Sequence, residues 1–182
     1  MTLDELRHNC LNCDRCELSK TRTNVVFGVG NPYADIMFVG EGPGQREDET
    51  GEPFVGRSGQ LLNHYIDAVG LKRSDIYIAN IVKCRPPGNR DPRPDEQETC
   101  IDWLKQQFLI ISPSIIVCLG RIAAQRMISP EFRVTKEHGI FFDKGSVQMM
   151  GTFHPSALLR NPAQKPAALD DFKALYEKSN KS

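Results

Sequence analysis

Three cysteines stand at equal spacing near the start of the chain, Cys10, Cys13 and Cys16, and Cys84 and Cys100 follow far downstream. A Cys-x-x-Cys pair on a turn directs two sulfurs at one point. Two distant cysteines can then complete the fourfold coordination that zinc or an iron–sulfur cluster takes. Cys118 lies inside the apolar run Ile115 to Leu119 and reads as a small buried hydrophobe. Cys10 has ligand spacing but would be the outer member of a short array. The expected ligand set is therefore Cys13, Cys16, Cys84 and Cys100, and spacing does not separate zinc from iron and sulfur. The competing reading is a set of free thiols with a redox pair at Cys13 and Cys16, since Cys-x-x-Cys is also a redox spacing.

Cys84 is enclosed by Lys83 and Arg85 and precedes Pro86-Pro87-Gly88-Asn89-Arg90-Asp91-Pro92. A metal centre at Cys84 would order this basic loop, in which Asp91 is the only acid. Arg160 and Lys165 form a second basic patch after His154-Pro155-Ser156. The formal net charge is zero, so the chain as a whole does not attract nucleic acid. A neutral protein still holds a phosphate backbone through one basic face. The first residues carry early acids and no apolar segment, and no apolar stretch approaches a membrane span. A cytoplasmic protein with reduced, metal-available thiols is expected, with no membrane partner.

These residues must be positioned by alternating strands and helices. Ile36–Val39 reads as a buried strand ending at Gly40-Glu41-Gly42-Pro43-Gly44, and Ser58–Val69 as a helix closed by Gly70. Ile76–Val82 reads as a strand, Asp95–Ile111 as a long amphipathic helix, and Ile115–Leu119 as a third strand. A short helix over Ile122–Ile128, a strand over Val147–Phe153 and a terminal helix over Ala167–Lys178 complete the pattern. Such alternation predicts one α/β domain over 1–182, with a central, mostly parallel four-stranded sheet covered by helices on both faces.

In an open parallel sheet, chemistry gathers beyond the carboxyl ends of the strands. Those ends carry Glu41 with its glycine turn, Asn80 with the basic loop, and His154 with its Pro-Ser turn. Taken singly, these are a tight turn, a capping Asn and an ordinary His. Three polar elements at one sheet edge point to a site.

Five segments together resemble the family 4 uracil-DNA glycosylases, the iron–sulfur-containing bacterial and archaeal branch of that superfamily. They are Cys13-Asp14-Arg15-Cys16, Gly40-Glu41-Gly42-Pro43-Gly44, Gly51-Glu52-Pro53-Phe54-Val55-Gly56-Arg57-Ser58-Gly59, Asn80-Ile81-Val82-Lys83-Cys84-Arg85-Pro86-Pro87, and His154-Pro155-Ser156. The resemblance runs from about Cys13 to Pro162. It implies a three-layer α/β/α fold and a 4Fe–4S cluster on Cys13, Cys16, Cys84 and Cys100, with Cys10 additional to the pattern. It also implies excision of uracil from single- or double-stranded DNA by a monomer that flips deoxyuridine out of the stack.

On that resemblance, Phe54 is the stacking platform for the flipped base. Asn80 reads uracil by accepting from N3–H and donating to O4, a pairing that cytosine reverses. His154 donates to uracil O2 as negative charge grows there. Better-known relatives of the family carry an aspartate where this chain has Gly42, so Glu41 is the expected group to orient water or stabilise the cationic sugar, with Asn89 as a water-positioning residue. They also carry a methyl-excluding tyrosine where this chain has Gly44, a gap that Glu47 is expected to close. Leu158, with Leu159 next, is the expected wedge into the DNA stack, while Lys83, Arg85 and Arg160 meet DNA. A broader glycosylase acting on hypoxanthine, xanthine or mismatched thymine is the alternative enzyme, and a non-catalytic nucleic-acid-binding module the alternative class.

Overall fold

The computed structural model describes residues 1–181. In chain order, the helices are α1 (Leu3–Cys10), α2 (Gln45–Thr50), α3 (Arg57–Ala68), α4 (Pro94–Ile111), α5 (Arg121–Met127), α6 (Val134–Glu137), α7 (Pro155–Arg160) and α8 (Lys165–Asn180). The strands are β1 (Val29–Gly30), β2 (Ile36–Gly40), β3 (Tyr77–Asn80), β4 (Ile115–Leu119), β5 (Phe141–Lys144) and β6 (Val147–Thr152). The sheet order is β1-β3-β2-β4-β6-β5. Its centre, β3-β2-β4-β6, is parallel throughout and consists of the four strands legible in the sequence. Two strands not foreseen there extend it to six by antiparallel pairing at the edges, β1 on β3 and β5 on β6. Both are short or half-exposed, as sheet edges commonly are.

Every residue of β2, β3 and β4 is buried, which explains their unbroken apolar runs. Alternate residues serve opposite faces. Met37, Val39, Ile116 and Cys118 join one core with Leu6 and Cys10 of α1, Leu104 and Ile111 of α4, and Ala123 and Ala124 of α5. Ile36, Phe38, Ile115 and Val117 join the other with Leu62 and Ile66 of α3 and Phe172 and Leu175 of α8. The outcome is a helix–sheet–helix sandwich.

The helices begin where local chemistry satisfies their first N–H groups. Thr2 and Glu5 form a reciprocal capping box on α1, at 3.1 and 2.8 Å. Pro94 occupies the first turn of α4, one residue ahead of the expected start, and Glu96 Oε1 accepts from the Arg93 backbone N–H at 2.8 Å. The strand expected over Ile76–Val82 pairs only over Tyr77–Asn80. Beyond it the chain still follows the glycine turn, because Ile81 and Val82 donate to the carbonyls of Gly40 and Glu41 at 2.9 and 3.1 Å. This contact brings the glycine turn and the basic loop to the same edge.

Two residues expected at the DNA face lie in the interior instead. Lys83 is 1% exposed; its Nζ donates to Gln107 Oε1 at 2.6 Å and its backbone N–H to Cys100 Sγ at 3.3 Å. Gln107 in turn donates to the Phe27 carbonyl and the Tyr77 hydroxyl. A buried ammonium requires such a partner. Leu158 is likewise 1% exposed, because α7 turns its apolar side onto the α3–α8 core rather than outward as a wedge.

Candidate active site

Strand order reverses at β2. From β2 the chain first moves to β3 on one side, then returns to β4 on the other and continues to β6. The carboxyl ends around such a switch form a crevice. Here they enclose a cavity of about 260 Å³ lined by Glu41, Gly42, Glu47, Phe54, Asn80, Asn89, His154 and Arg160. Eight of the residues singled out from sequence thus meet in one place. Arg85 does not line it, but its Nε donates to Asn89 Oδ1 at 2.6 Å and so holds Asn89 at the rim.

Asn80 ends β3 and is 2% exposed, yet its Oδ1 has no hydrogen-bond partner among the described residues. A buried acceptor without a donor is costly, so this oxygen at the cavity needs a donor that the described residues do not supply. Gly40 makes this possible: a Cβ there would sit 2.5 Å from Asn80 Oδ1 and 2.7 Å from Phe54 Cζ. The Phe54 ring lies 5.6 Å from the His154 ring at 34°.

His154 caps α7. Its Nδ1 accepts from the Ser156 backbone N–H at 3.0 Å and lies 2.7 Å from Ser156 Oγ. With Nδ1 used as acceptor, the neutral ring carries its proton on Nε2. Burial pushes the imidazole down to about 4, Arg160 adds to the shift and Glu47 opposes it. His154 is therefore a neutral hydrogen-bond donor across the physiological range. Ser156 was legible only as part of a His-Pro-Ser turn; its task of fixing the tautomer emerges from the geometry.

Burial and the neighbouring Asp91 raise the Glu41 carboxyl above its ordinary range, while Arg121 and Arg160 pull it back. Glu47 spends both oxygens on backbone. Its Oε1 accepts from Gly44 N–H at 3.0 Å, and its Oε2 from Val55 and Gly56 N–H at 3.0 and 2.9 Å. It ties the glycine turn to the Phe54 loop while presenting its side chain to the cavity. Arg90 is held at the rim by a two-pronged pairing with buried Glu96, at 2.8 and 2.9 Å.

The remaining cysteine chemistry lies elsewhere. Cys13, Cys16, Cys84 and Cys100 line a second, narrow cavity with Arg22, Lys83 and Trp103. Cys10 is fully buried in the core behind it and does not line it, and burial pushes its thiol up to about 12. Arg22 Nη1 donates to Cys84 Sγ at 3.3 Å and to the Cys13 carbonyl at 2.6 Å. The Lys83 backbone N–H supplies a second donor to sulfur, at Cys100. Burial raises the Cys84 and Cys100 thiols, the latter to about 11. Trp103 Nε1, also buried, has no partner among the described residues. No group of three or more His, Cys, Asp or Glu side chains among them closes on a single metal ion. The four sulfurs share a cavity without converging on one point.

The fold and cavity define an α/β enzyme class whose family model, the Uracil DNA glycosylase superfamily, matches residues 27–178. The chain belongs to this superfamily, and its relatives identify the branch. It is 44% identical to a type-4 uracil-DNA glycosylase of Archaeoglobus fulgidus, across 97% of this chain and 92% of the relative. A type-4 uracil-DNA glycosylase of Thermotoga maritima is 49% identical across 82% of this chain and 79% of its own. One from Sulfurisphaera tokodaii is 40% identical across 97% and 84%.

Proposed function

We propose that this protein is a uracil-DNA glycosylase that binds a flipped deoxyuridine in the 260 Å³ cavity and hydrolyses its N-glycosidic bond. The observation that carries the reading is the unpartnered buried Oδ1 of Asn80, set beside an aromatic ring and a neutral histidine. Uracil N3–H satisfies that oxygen and uracil O4 accepts from the amide nitrogen. Cytosine offers an acceptor and a donor in the opposite order and would leave buried groups unpaired. Phe54 stacks under the base, and Glu47 walls the side where a thymine methyl would project.

As the bond breaks, negative charge moves onto uracil and positive charge onto the sugar. The Nε2–H of His154 donates to uracil O2 as its charge grows, a contribution of about 3–4 kcal/mol for a well-aligned donor. No proton need come from His154, in keeping with a histidine that stays neutral. Glu41 faces the cationic sugar, and Asn89 positions the attacking water with Glu41. Water adds its hydroxyl to the sugar carbon and gives up a proton by way of Glu41; a proton neutralises the departing uracil anion, which leaves as the free base, and an abasic site remains. Arg90 and Arg160 are the cations lining the cavity; no lysine among the described residues lines it, which favours hydrolysis without a Schiff base and without strand cleavage. Arg160 and Arg85 contact phosphate.

The four cavity-lining cysteines fit a 4Fe–4S cluster. Four thiols line one cavity, the number such a cluster takes, and Arg22 and the Lys83 amide supply N–H donors to two of the sulfurs that would hold it. When bound, the cluster supplies a covalent tie rather than electron transfer, because glycosidic hydrolysis moves no electrons. Cys13 and Cys16 would anchor the N-terminal segment to the head of the basic loop at Cys84 and to α4 at Cys100. Metal binding would displace the thiol protons that burial otherwise retains on Cys84 and Cys100.

The test is incubation with oligonucleotides carrying a single uracil, hypoxanthine or thymine, followed by alkali. Cleavage of the uracil strand alone is expected. Cleavage of the others as well would favour the broader glycosylase, and no cleavage on any would refute the enzyme reading.

A further inference from the structure

Phe54 is one of three non-glycine residues in the described chain with positive φ, at 52°. Left-handed backbone is unfavourable for a side chain of this size and persists only when its surroundings over-determine it. Those surroundings are specific. Arg73, 19 residues further on in a 3₁₀ turn (Arg73–Asp75), donates from Nη1 to the Phe54 carbonyl at 2.9 Å and to Asn63 Oδ1 at 2.8 Å. Its Nη2 donates to the Pro53 carbonyl at 2.7 Å. From the opposite side, Glu47 accepts from the N–H groups of Val55 and Gly56. Gly59 lets the Phe54 carbonyl approach α3, since a Cβ there would overlap it. Three consecutive peptide groups, spanning Pro53 to Gly56, are thus held by two charged side chains.

Arg73 does not line the cavity, and its contacts are neutral acceptors rather than a carboxylate. Burial disfavours the charge of this half-buried guanidinium, nearby Glu52 partly opposes that, and the three hydrogen bonds fix where its fork points. A planar fork can serve three acceptors in fixed directions; an ammonium on a flexible stem cannot reproduce that geometry.

We infer that Arg73 is a positioning residue for the reaction: it locks the strained Phe54 backbone so that the ring is pre-set as the platform for the flipped base. The inference rests on the reading of Phe54 as that platform. A platform displaced by about 1 Å misplaces the glycosidic bond against His154 and Glu41, and displacements of this size cost roughly 100-fold in rate.

The experiment is a double-mutant cycle. Single-turnover uracil excision is measured for wild type, Phe54→Ala, Arg73→Ala, Arg73→Lys and Phe54→Ala/Arg73→Ala, below the melting temperature of each. Arg73→Ala should lower the rate roughly 10- to 100-fold, Arg73→Lys should not restore it, and Arg73→Ala should change little further in the Phe54→Ala background. Equal factors in both backgrounds would mean a general structural effect and would overturn the inference. So would a wild-type rate in Arg73→Ala beside a crippled Phe54→Ala, with the platform reading left intact. A wild-type rate in Phe54→Ala would overturn the platform reading, and the inference with it. Should Arg73→Ala fail to fold, Arg73→Gln, which keeps one amide donor, carries the same cycle.

Discussion

Protonating His154 in the folded protein would place a second proton on an imidazole whose Nδ1 already accepts from Ser156 N–H, in buried surroundings near Arg160. The folded ring takes that proton only near pH 4, against 6.5 for the free side chain. At 1.36 kcal/mol for each pH unit, the difference amounts to about 3 kcal/mol. The sign follows from proton counts. Between 6.5 and 4 the unfolded chain carries the proton and the folded one does not, so acid favours unfolding. The full stability is present above pH 6.5, falls as pH drops toward 4, and loses nothing further through this group below that. Denaturant unfolding of wild type and His154→Gln at pH 7.5 and 4.5 isolates the effect, because the difference between the two proteins cancels the other titrating groups. Wild type should lose about 2–3 kcal/mol more than the variant. The His154 contribution to excision should stay flat from pH 8 to 5, and Arg160→Gln should move the histidine midpoint upward by removing a repelling cation. Equal acid sensitivity in both proteins, or an NMR midpoint near 6.5, would refute the neutral-donor argument.

Asn80→Asp should weaken uracil excision and admit cytosine, because a protonated carboxyl complements cytosine N3 and an ionised one its amino group; competition between uracil and cytosine oligonucleotides measures this, and an unchanged base preference would count against Asn80 as the reader. Leu158→Ala should cost about 2–5 kcal/mol of stability as a core cavity while DNA affinity stays unchanged, with thermal melts and binding isotherms as the readouts. Lys83→Met should leave the salt dependence of DNA binding as it is, whereas a slope reduced by about one would return Lys83 to the phosphate-binding face. Replacing Cys84 or Cys100 with Ala should remove the brown absorbance and lower solubility together; a sulfide-free zinc protein, fully active after anaerobic preparation, would overturn the cluster.

Local chemistry made much of this protein legible from its residues in order. Buried parallel strands must be written as apolar runs, so Ile36–Val39 and Ile115–Leu119 announced themselves, and the carboxyl ends of β2, β3 and β6 bring Glu41, Asn80 and His154 to one edge. Cysteine spacing likewise selected four sulfurs that come to share one cavity. What tertiary structure alone decided depends on partners remote in the chain. Lys83 looked like a surface cation in a basic loop until Gln107, 24 residues away, supplied its buried acceptor. Leu158 looked exposed on a short turn until the α3–α8 core received it. The edge strands β1 and β5 carry too little apolar pattern to be read without the strands they pair with. Arg73 bears no motif, and Glu47 was expected at the cavity but not as a backbone tie; what distinguishes them is that Arg73 meets the Phe54 carbonyl while Glu47 meets the N–H groups of Val55 and Gly56 that follow it. Sequence periodicity records which face a residue turns; it does not record which distant peptide group that face will meet.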